Sequence, residues 1–516
     1  MRSHLAHRRQ FLAEIGRGML ICGVGYSVAQ DLGLTPVLAD EDAADRLTFG
    51  SHERLVALLQ ETPPEQILPQ VIDWLRAGTE LKEIVGAAAM ANARAFGGED
   101  YIGYHTFMAL HPAYRMSQQL PHERRPLPVL KVLYRNATRM HATGHQAVDT
   151  LHPVTAAEAV SGTSLADDLR EAVHRGDKPL AERMLASSES TDTAWNDLLP
   201  IVHEVPDVHR VVLAHRAWDM AGLVGVDYAQ TMLRQSLRYC VDAEKYRVTN
   251  YGNVPQMLVR VLEDHKLLGR ELGTRAADDA WIDAFTQLLF NSSAEQAADA
   301  VGAALAEGFS VDAIAEAVSL AANQLVLRDA GRREPQPAKP IGSVHGDSIG
   351  VHASDSANAW RHIARVSHPR NAAASLIMAG YQVASDRSRL GGDWQPRPLP
   401  EQLEQISVTE AKQLLAELDG AIREQNQDRA CAVVGKYCLL GYSERPVFDL
   451  LLKYATSEDG ALHAEKYFWT VSDEYALTRA AFRSRQLVAL ARVTASEYGN
   501  RAAGYDEACA LLGCET

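Results

Sequence analysis

From residue 50 onward, apolar residues recur at helical spacing through almost every segment, with Ala, Leu, Glu and Arg dominant and few β-branched alternations. A chain patterned this way offers little from which to build a sheet, so the expected fold class is all-α and multi-helical. Proline-rich breaks interrupt the pattern at 119–128 (LPHERRPLPV), 331–342 (GRREPQPAKPIG) and 391–400 (GGDWQPRPLP). HPAYR from His111 and SHPR from Ser367 predict helix ends, because the residue before a proline is pushed out of the α region.

The helical pattern also repeats itself. LLQETPPEQILPQVIDWLRAGTELKEIVGAAAMANA from Leu58 aligns without a gap on LLFNSSAEQAADAVGAALAEGFSVDAIAEAVSLAAN from Leu288, at an offset of 230 residues. Glu65, Gln66, Gly78 and Ile84 fall opposite Glu295, Gln296, Gly308 and Ile314. Each stretch reads as a helix, a glycine C-cap and a second helix, an αα-hairpin. Next, GEDYIGYHTFMALHPAYR (98–115) faces HGDSIGVHASDSANAWRH (345–362) at an offset of 247. Both carry D-x-I-G-x-H, as Asp100, Gly103 and His105 and as Asp347, Gly350 and His352. Residues 169–186 are similar to 418–435, and 196–212 to 448–466 with two residues inserted, which sets His209 opposite His463. The matches keep the same order, as an old tandem duplication would leave them. The expected halves are 50–255 and 280–516, as two domains or as one continuous helical domain.

D-x-I-G-x-H has a plain structural reading. Asp caps a helix, Gly admits a close neighbour, and His packs in the core against a carbonyl. Two copies add a second one. Duplicated halves packed about a pseudo-twofold axis, with the glycine-bearing helices as partners, would bring His105 and His352 together. His209 and His463 would then complete a four-imidazole cluster of the kind bundle interiors use to hold metals. Neutral imidazole suits iron, copper or zinc, so a transition metal is the expected cofactor. His352, Asp355 and His362 share one helix face; Asp355 is a further candidate ligand. Asp100, Asp347 and His362 are candidates for capping the helices or orienting an imidazole from behind.

The N-terminus admits two readings. HRRQFLAEIGRGMLICGVGYSVAQDLGLTPVLADED, residues 7–42, could open a dinucleotide fold at Gly23 and Gly25, with Asp40 or Asp42 for a ribose. The third glycine of that fingerprint is Val28, however, and Gly33 and Pro36 interrupt the helix it needs, so no nucleotide cofactor is expected. The export reading fits better. Arg2, Arg8, Arg9 and Arg17 against the single Glu14 make the first 29 residues positive. An apolar stretch too short to span a bilayer follows, and then a small-x-Ala site ending at Ala29, with Ala39 as the alternative cleavage point. Arg8-Arg9-Gln10-Phe11-Leu12 resembles the twin-arginine signal. That resemblance implies export by the twin-arginine (Tat) translocase to the periplasm or cell envelope. Ile21 stands where a lipid anchor at Cys22 would need a small residue.

Removing residues 1–29 moves the formal net charge from −15 to −18. Such a chain, with no Lys/Arg-rich patch, is a poor partner for nucleic acid or anionic membrane. The sparse cysteines make no disulfide scaffold: Cys431 and Cys438 lie too far apart along one helix to bridge, while Cys509 and Cys514 are close enough in sequence to pair. His141 and His145 have ligand spacing, with Gly144 fraying the helix between them. His203-Glu204 is not a metalloprotease motif, since Pro206 breaks the helix before His209. His215 and Asp219 read as an i, i+4 surface pair. Trp195, Trp218, Trp360 and Trp469 read as core. No serine-hydrolase elbow or P-loop occurs.

Two functions fit. One is an exported metalloenzyme, an oxidoreductase with its site between the halves. Here the chain is similar, in its long all-helical build and scattered histidines, to the questin-oxidase-like proteins. That resemblance implies oxidation of an aromatic or polyketide-like substrate and transfers no site residue. The other is an α-solenoid-like scaffold that binds a partner without catalysis.

Overall fold

The computed structural model describes residues 46–142, 149–157, 164–337, 339–390 and 395–515. The export signal, both cleavage points and His145 lie outside the described residues. The described chain is all-α, with 23 α-helices and no strand. The first eleven are α1 (Glu53–Glu61), α2 (Pro64–Arg76), α3 (Leu81–Phe96), α4 (Tyr101–Ser117), α5 (Leu127–Met140), α6 (Leu165–His174), α7 (Lys178–Ala186), α8 (Thr191–Val202), α9 (Val208–Val224), α10 (Val226–Asn250) and α11 (Val254–Asp264). The rest are α12 (Asp279–Asn291), α13 (Ala294–Ala306), α14 (Val311–Arg328), α15 (Ile349–Val366), α16 (Pro369–Leu390), α17 (Pro400–Glu404), α18 (Ala411–Arg423), α19 (Gln427–Leu439), α20 (Arg445–Ser457), α21 (His463–Leu477), α22 (Ser484–Glu497) and α23 (Tyr505–Leu512).

Local chemistry sets these boundaries. Asp100, Ser190, Asp207, Ser310 and Ser348 each accept a backbone N–H as helix N-caps, and Ser293 forms a reciprocal capping box with Gln296. Gly78 and Gly308, with φ of +99° and +84°, turn the α2–α3 and α13–α14 hairpins where a side chain would be strained. The break at 119–128 follows α4 and runs into the start of α5 at Leu127, and the described residues of 331–342 lie between α14 and α15. SHPR ends α15 and starts α16 with Pro369 at the first position. HPAYR does not end a helix: α4 runs through Pro112 to Ser117. Pro112 forfeits one backbone bond, but α4 is packed by α3, α5, α9 and α21, which hold it helical.

The packing neighbours recur along the chain. α1 packs on α3 as α12 does on α14, α2 on α5 as α13 on α16, and α6 on α7 as α18 on α19. α7 packs on α10 as α19 does on α22. The last helix of each series crosses over: α11 packs on α13 and α16, and α23 on α2 and α5. Residues from Leu47 onward therefore form one compact unit. Contacts such as α23 with α2 join elements far apart in sequence, whereas a solenoid's repeats touch only their neighbours. Trp195 and Trp360 are fully buried in the core, and Trp218 stacks obliquely on Trp195 at 4.9 Å. All five described cysteines, Cys509 and Cys514 included, are free thiols. Among the described residues no helix is long and apolar enough to cross a membrane.

At the centre α4 packs on α9 and α21, and α15 packs on the same two helices. The expected direct partnership of the glycine-bearing helices is not what forms, since α4 and α15 sit diagonally. Each glycine instead seats its helix on the preceding one. A Cβ on Gly350 would lie 2.6 Å from the Val326 backbone nitrogen, and one on Gly103 would lie 2.5 Å from the Phe96 ring.

Candidate functional site

Four imidazoles meet at one end of these central helices. His105 is the fifth residue of α4, His209 the second of α9, His352 the fourth of α15 and His463 the first of α21. Ring centroids are 4.9 Å apart for His105–His209, 5.9 Å for His209–His352, 5.3 Å for His352–His463 and 5.4 Å for His463–His105. The rings close a quadrilateral. All four helices consequently start at the cluster and run away from it in parallel, gathering four positive helix ends around it.

Backbone and carboxylate groups orient the rings from behind. His105 Nδ1 lies 2.7 Å from the Tyr101 carbonyl, and His463 Nδ1 lies 3.1 Å from the Ala461 carbonyl. A carbonyl only accepts, so both rings carry their proton on Nδ1 and present an Nε2 lone pair. His209 Nδ1 is 3.7 Å from Asp207 Oδ2. Nε2 of His105 and of His209 is buried and has no hydrogen-bond partner. His352 Nε2 lies 3.3 Å from His463 Nε2. Burial, with the His209 and Lys466 charges next, holds His352 down to about 3, and burial and Lys466 likewise hold His105 and His463 well below the usual histidine range.

The other candidates are placed differently. Asp100 caps α4 and takes a bidentate ion pair from Arg139, with contacts of 2.5–3.1 Å. Asp347 is not the cap of α15; Ser348 is, and Asp347 pairs with Arg332 and Lys339 at 2.5 and 2.7 Å. Ser and Asp cap about equally well, so one residue's shift in register decided it. Asp355 is no part of the imidazole ring: it is buried one turn further along α15 and accepts from Thr470 Oγ1 at 2.7 Å. His362 is ten residues beyond His352, about 15 Å along the helix and out of reach of the cluster. It pairs with Asp473 at 2.6 Å.

His362 belongs to a second polar layer. Its ring stacks on His215 at 5.0 Å, and Asp219 faces His111, His215 and Arg216 at 3.2, 3.5 and 2.6 Å. His215 is buried and Asp219 half-buried, so the pair is not superficial; α9 lies in the middle of the bundle.

Sequence reasoning passed over Lys466 and three tyrosines. Lys466, three residues after His463, shares that residue's helix face and is 4% exposed. Tyr104 stacks on His105 at 4.9 Å, while Tyr101, 60% exposed, lies over the same ring at 4.4 Å and marks the solvent side. Tyr239 meets Tyr104 edge-on at 5.3 Å and donates to Asp207 Oδ2 at 2.9 Å. Burial would raise Asp207, yet the neighbouring His209 and hydrogen bonds from the Arg210 amide and Tyr239 pull its carboxyl below the usual range. The spacing in YIGYH, with aromatics one and four residues before His105, was the available signal.

A different set has ligand atoms already within 4.8 Å of one another: His174, Glu204 and Glu244. Arg170 and Arg247 occupy its carboxylates, each at 2.5 Å, so it reads as a neutralised ion-pair network. The four-imidazole ring is more open, and an ion bound by all four would draw the rings inward. No protein-family model, no curated protein and no solved structure matches the chain.

Proposed function

We propose that the protein is a histidine-ligated transition-metal oxidoreductase whose ion sits among His105, His209, His352 and His463. The observation that carries this reading is the orphaned, buried Nε2 of His105 and of His209, facing an Nε2 pair 3.3 Å apart. The buried imidazole of His203, by contrast, has its Nε2 2.9 Å from Ser375 Oγ. Leaving such a nitrogen buried and unbonded costs about 1–3 kcal/mol. Tetrahedral ligation at about 2.0–2.1 Å sets nitrogens about 3.3–3.4 Å apart, the separation His352 and His463 already have. Imidazoles held neutral by burial are ready ligands for iron, copper or zinc.

The redox assignment is supported by the tyrosines. Tyr104 lies against a ligand ring, and Tyr239 next to it is hydrogen-bonded to Asp207, which can receive the phenol proton as an electron leaves. The recurring helix packing supports a duplicated chain in which each half supplies two ligands. Export through the twin-arginine route suits a protein that must take up its metal while folding.

X-ray absorption spectroscopy of protein reconstituted with iron or copper tests this reading. A nitrogen shell with imidazole scattering from about four ligands is expected; an oxygen-dominated shell with no imidazole scattering contradicts it.

A further inference from the structure

We propose that Lys466 and the four imidazoles together bind a small anion, which would complete the metal centre held by the histidines. The inference rests on the metal reading above and adds the class of ligand. Lys466 is 4% exposed, and its side chain makes no hydrogen bond or ion pair with any described residue. It lies one turn after His463 on the same face of α21, near the start of that helix, and its ammonium is the foremost charge felt by His105 and by His463. Asp355 is the carboxylate whose charge it feels most, yet the two form no ion pair, since Asp355 is engaged by Thr470. Arg216 of α9, the cation whose charge Lys466 feels, is occupied by Asp219.

A buried ammonium without a partner is costly unless an anion or water answers it. Two features favour an anion. The four helices that carry the histidines all begin at this point, so their positive ends add to the lysine charge. A divalent ion held by four neutral imidazoles also keeps its whole charge, because no carboxylate or thiolate ligand offsets it. The helix ends and Lys466 thus bring positive charge together, with no described anion within ion-pair reach of Lys466. Lys466 is the residue that would anchor the ligand.

Azide is the probe. In calorimetric titrations of the metal-loaded protein, azide affinity should fall about tenfold or more in Lys466→Met, the loss of one charge-assisted bond, at unchanged metal content. Equal azide affinity in the two proteins, or a wild type that holds metal but no azide, overturns the anion site and leaves the metal reading standing. A wild type that holds no metal overturns both. Should Lys466→Met fail to fold, anomalous diffraction from bromide-soaked crystals of the wild type decides the matter. A bromide peak within hydrogen-bond reach of Lys466 Nζ supports the site, and its absence there overturns it.

Discussion

His352 Nε2 and His463 Nε2 face each other at 3.3 Å, although 110 residues separate them in the chain and each opens a different helix. His463 spends its Nδ1 proton on the Ala461 carbonyl, so its Nε2 offers only a lone pair. Either His352 donates its single proton across the gap or an ion bridges the two rings. The geometry serves both, and the unpaired nitrogens of His105 and His209 are what favour the ion.

The seating of α15 on α14 should be intolerant of a methyl group. In Gly350→Ala the new Cβ would sit 2.6 Å from the Val326 nitrogen and 2.7 Å from the Leu325 carbonyl carbon, both backbone atoms that move only with their helix. Overpacking of this kind costs about 1–3 kcal/mol, and it would displace His352 as well. A thermal melt of the variant should show a lower midpoint; an unchanged one would mean the two helices lie further apart than described.

Much of this was readable beforehand. Helical periodicity and the C-cap glycines Gly78 and Gly308 indicated the hairpins; the two D-x-I-G-x-H motifs put His105 opposite His352, and a later match with two residues inserted put His209 opposite His463. The structure gathers those four side chains. The second polar layer was not readable, because His362–Asp473 and His111–Asp219 are pairs between helices with no local spacing to betray them. Pro112 misled for a related reason: a local rule about helix ends was overridden by packing on several sides. Lys466 was overlooked because a lysine after a helical histidine ordinarily reaches solvent.

The buried pair between α15 and α21 should respond asymmetrically to mutation. Arg361 Nη1 meets Glu474 Oε2 at 2.7 Å, and both side chains are almost fully buried. Glu474→Gln strands the guanidinium and should lower stability by about 3–5 kcal/mol, read as a drop in urea midpoint at constant slope. Replacing both residues with apolar side chains of similar volume should cost less than the single change. The reverse order would show that the pair is not dry.

Acid should destabilise the protein through His203. Burial, with the Arg370 charge adding to it, lowers this residue to about 3 in the folded state, against about 6.5 when unfolded. Its folded pKa is depressed, so the unfolded chain binds the extra proton. The neutral side chain's contribution is complete above about pH 6.5 and is lost as pH falls toward 3, at about 1.4 kcal/mol per pH unit. Urea denaturation between pH 6 and pH 4 should show a slope smaller by about one proton in His203→Gln. Identical slopes would mean His203 is protonated in the fold.

Elemental analysis of protein purified without added chelator, wild type beside His352→Ala, addresses the central claim directly. The account predicts close to one iron, copper or zinc ion per wild-type chain, with most of it lost from a variant that still shows the wild-type helical circular dichroism. Equal metal in both proteins, or none in either after reconstitution, would contradict it.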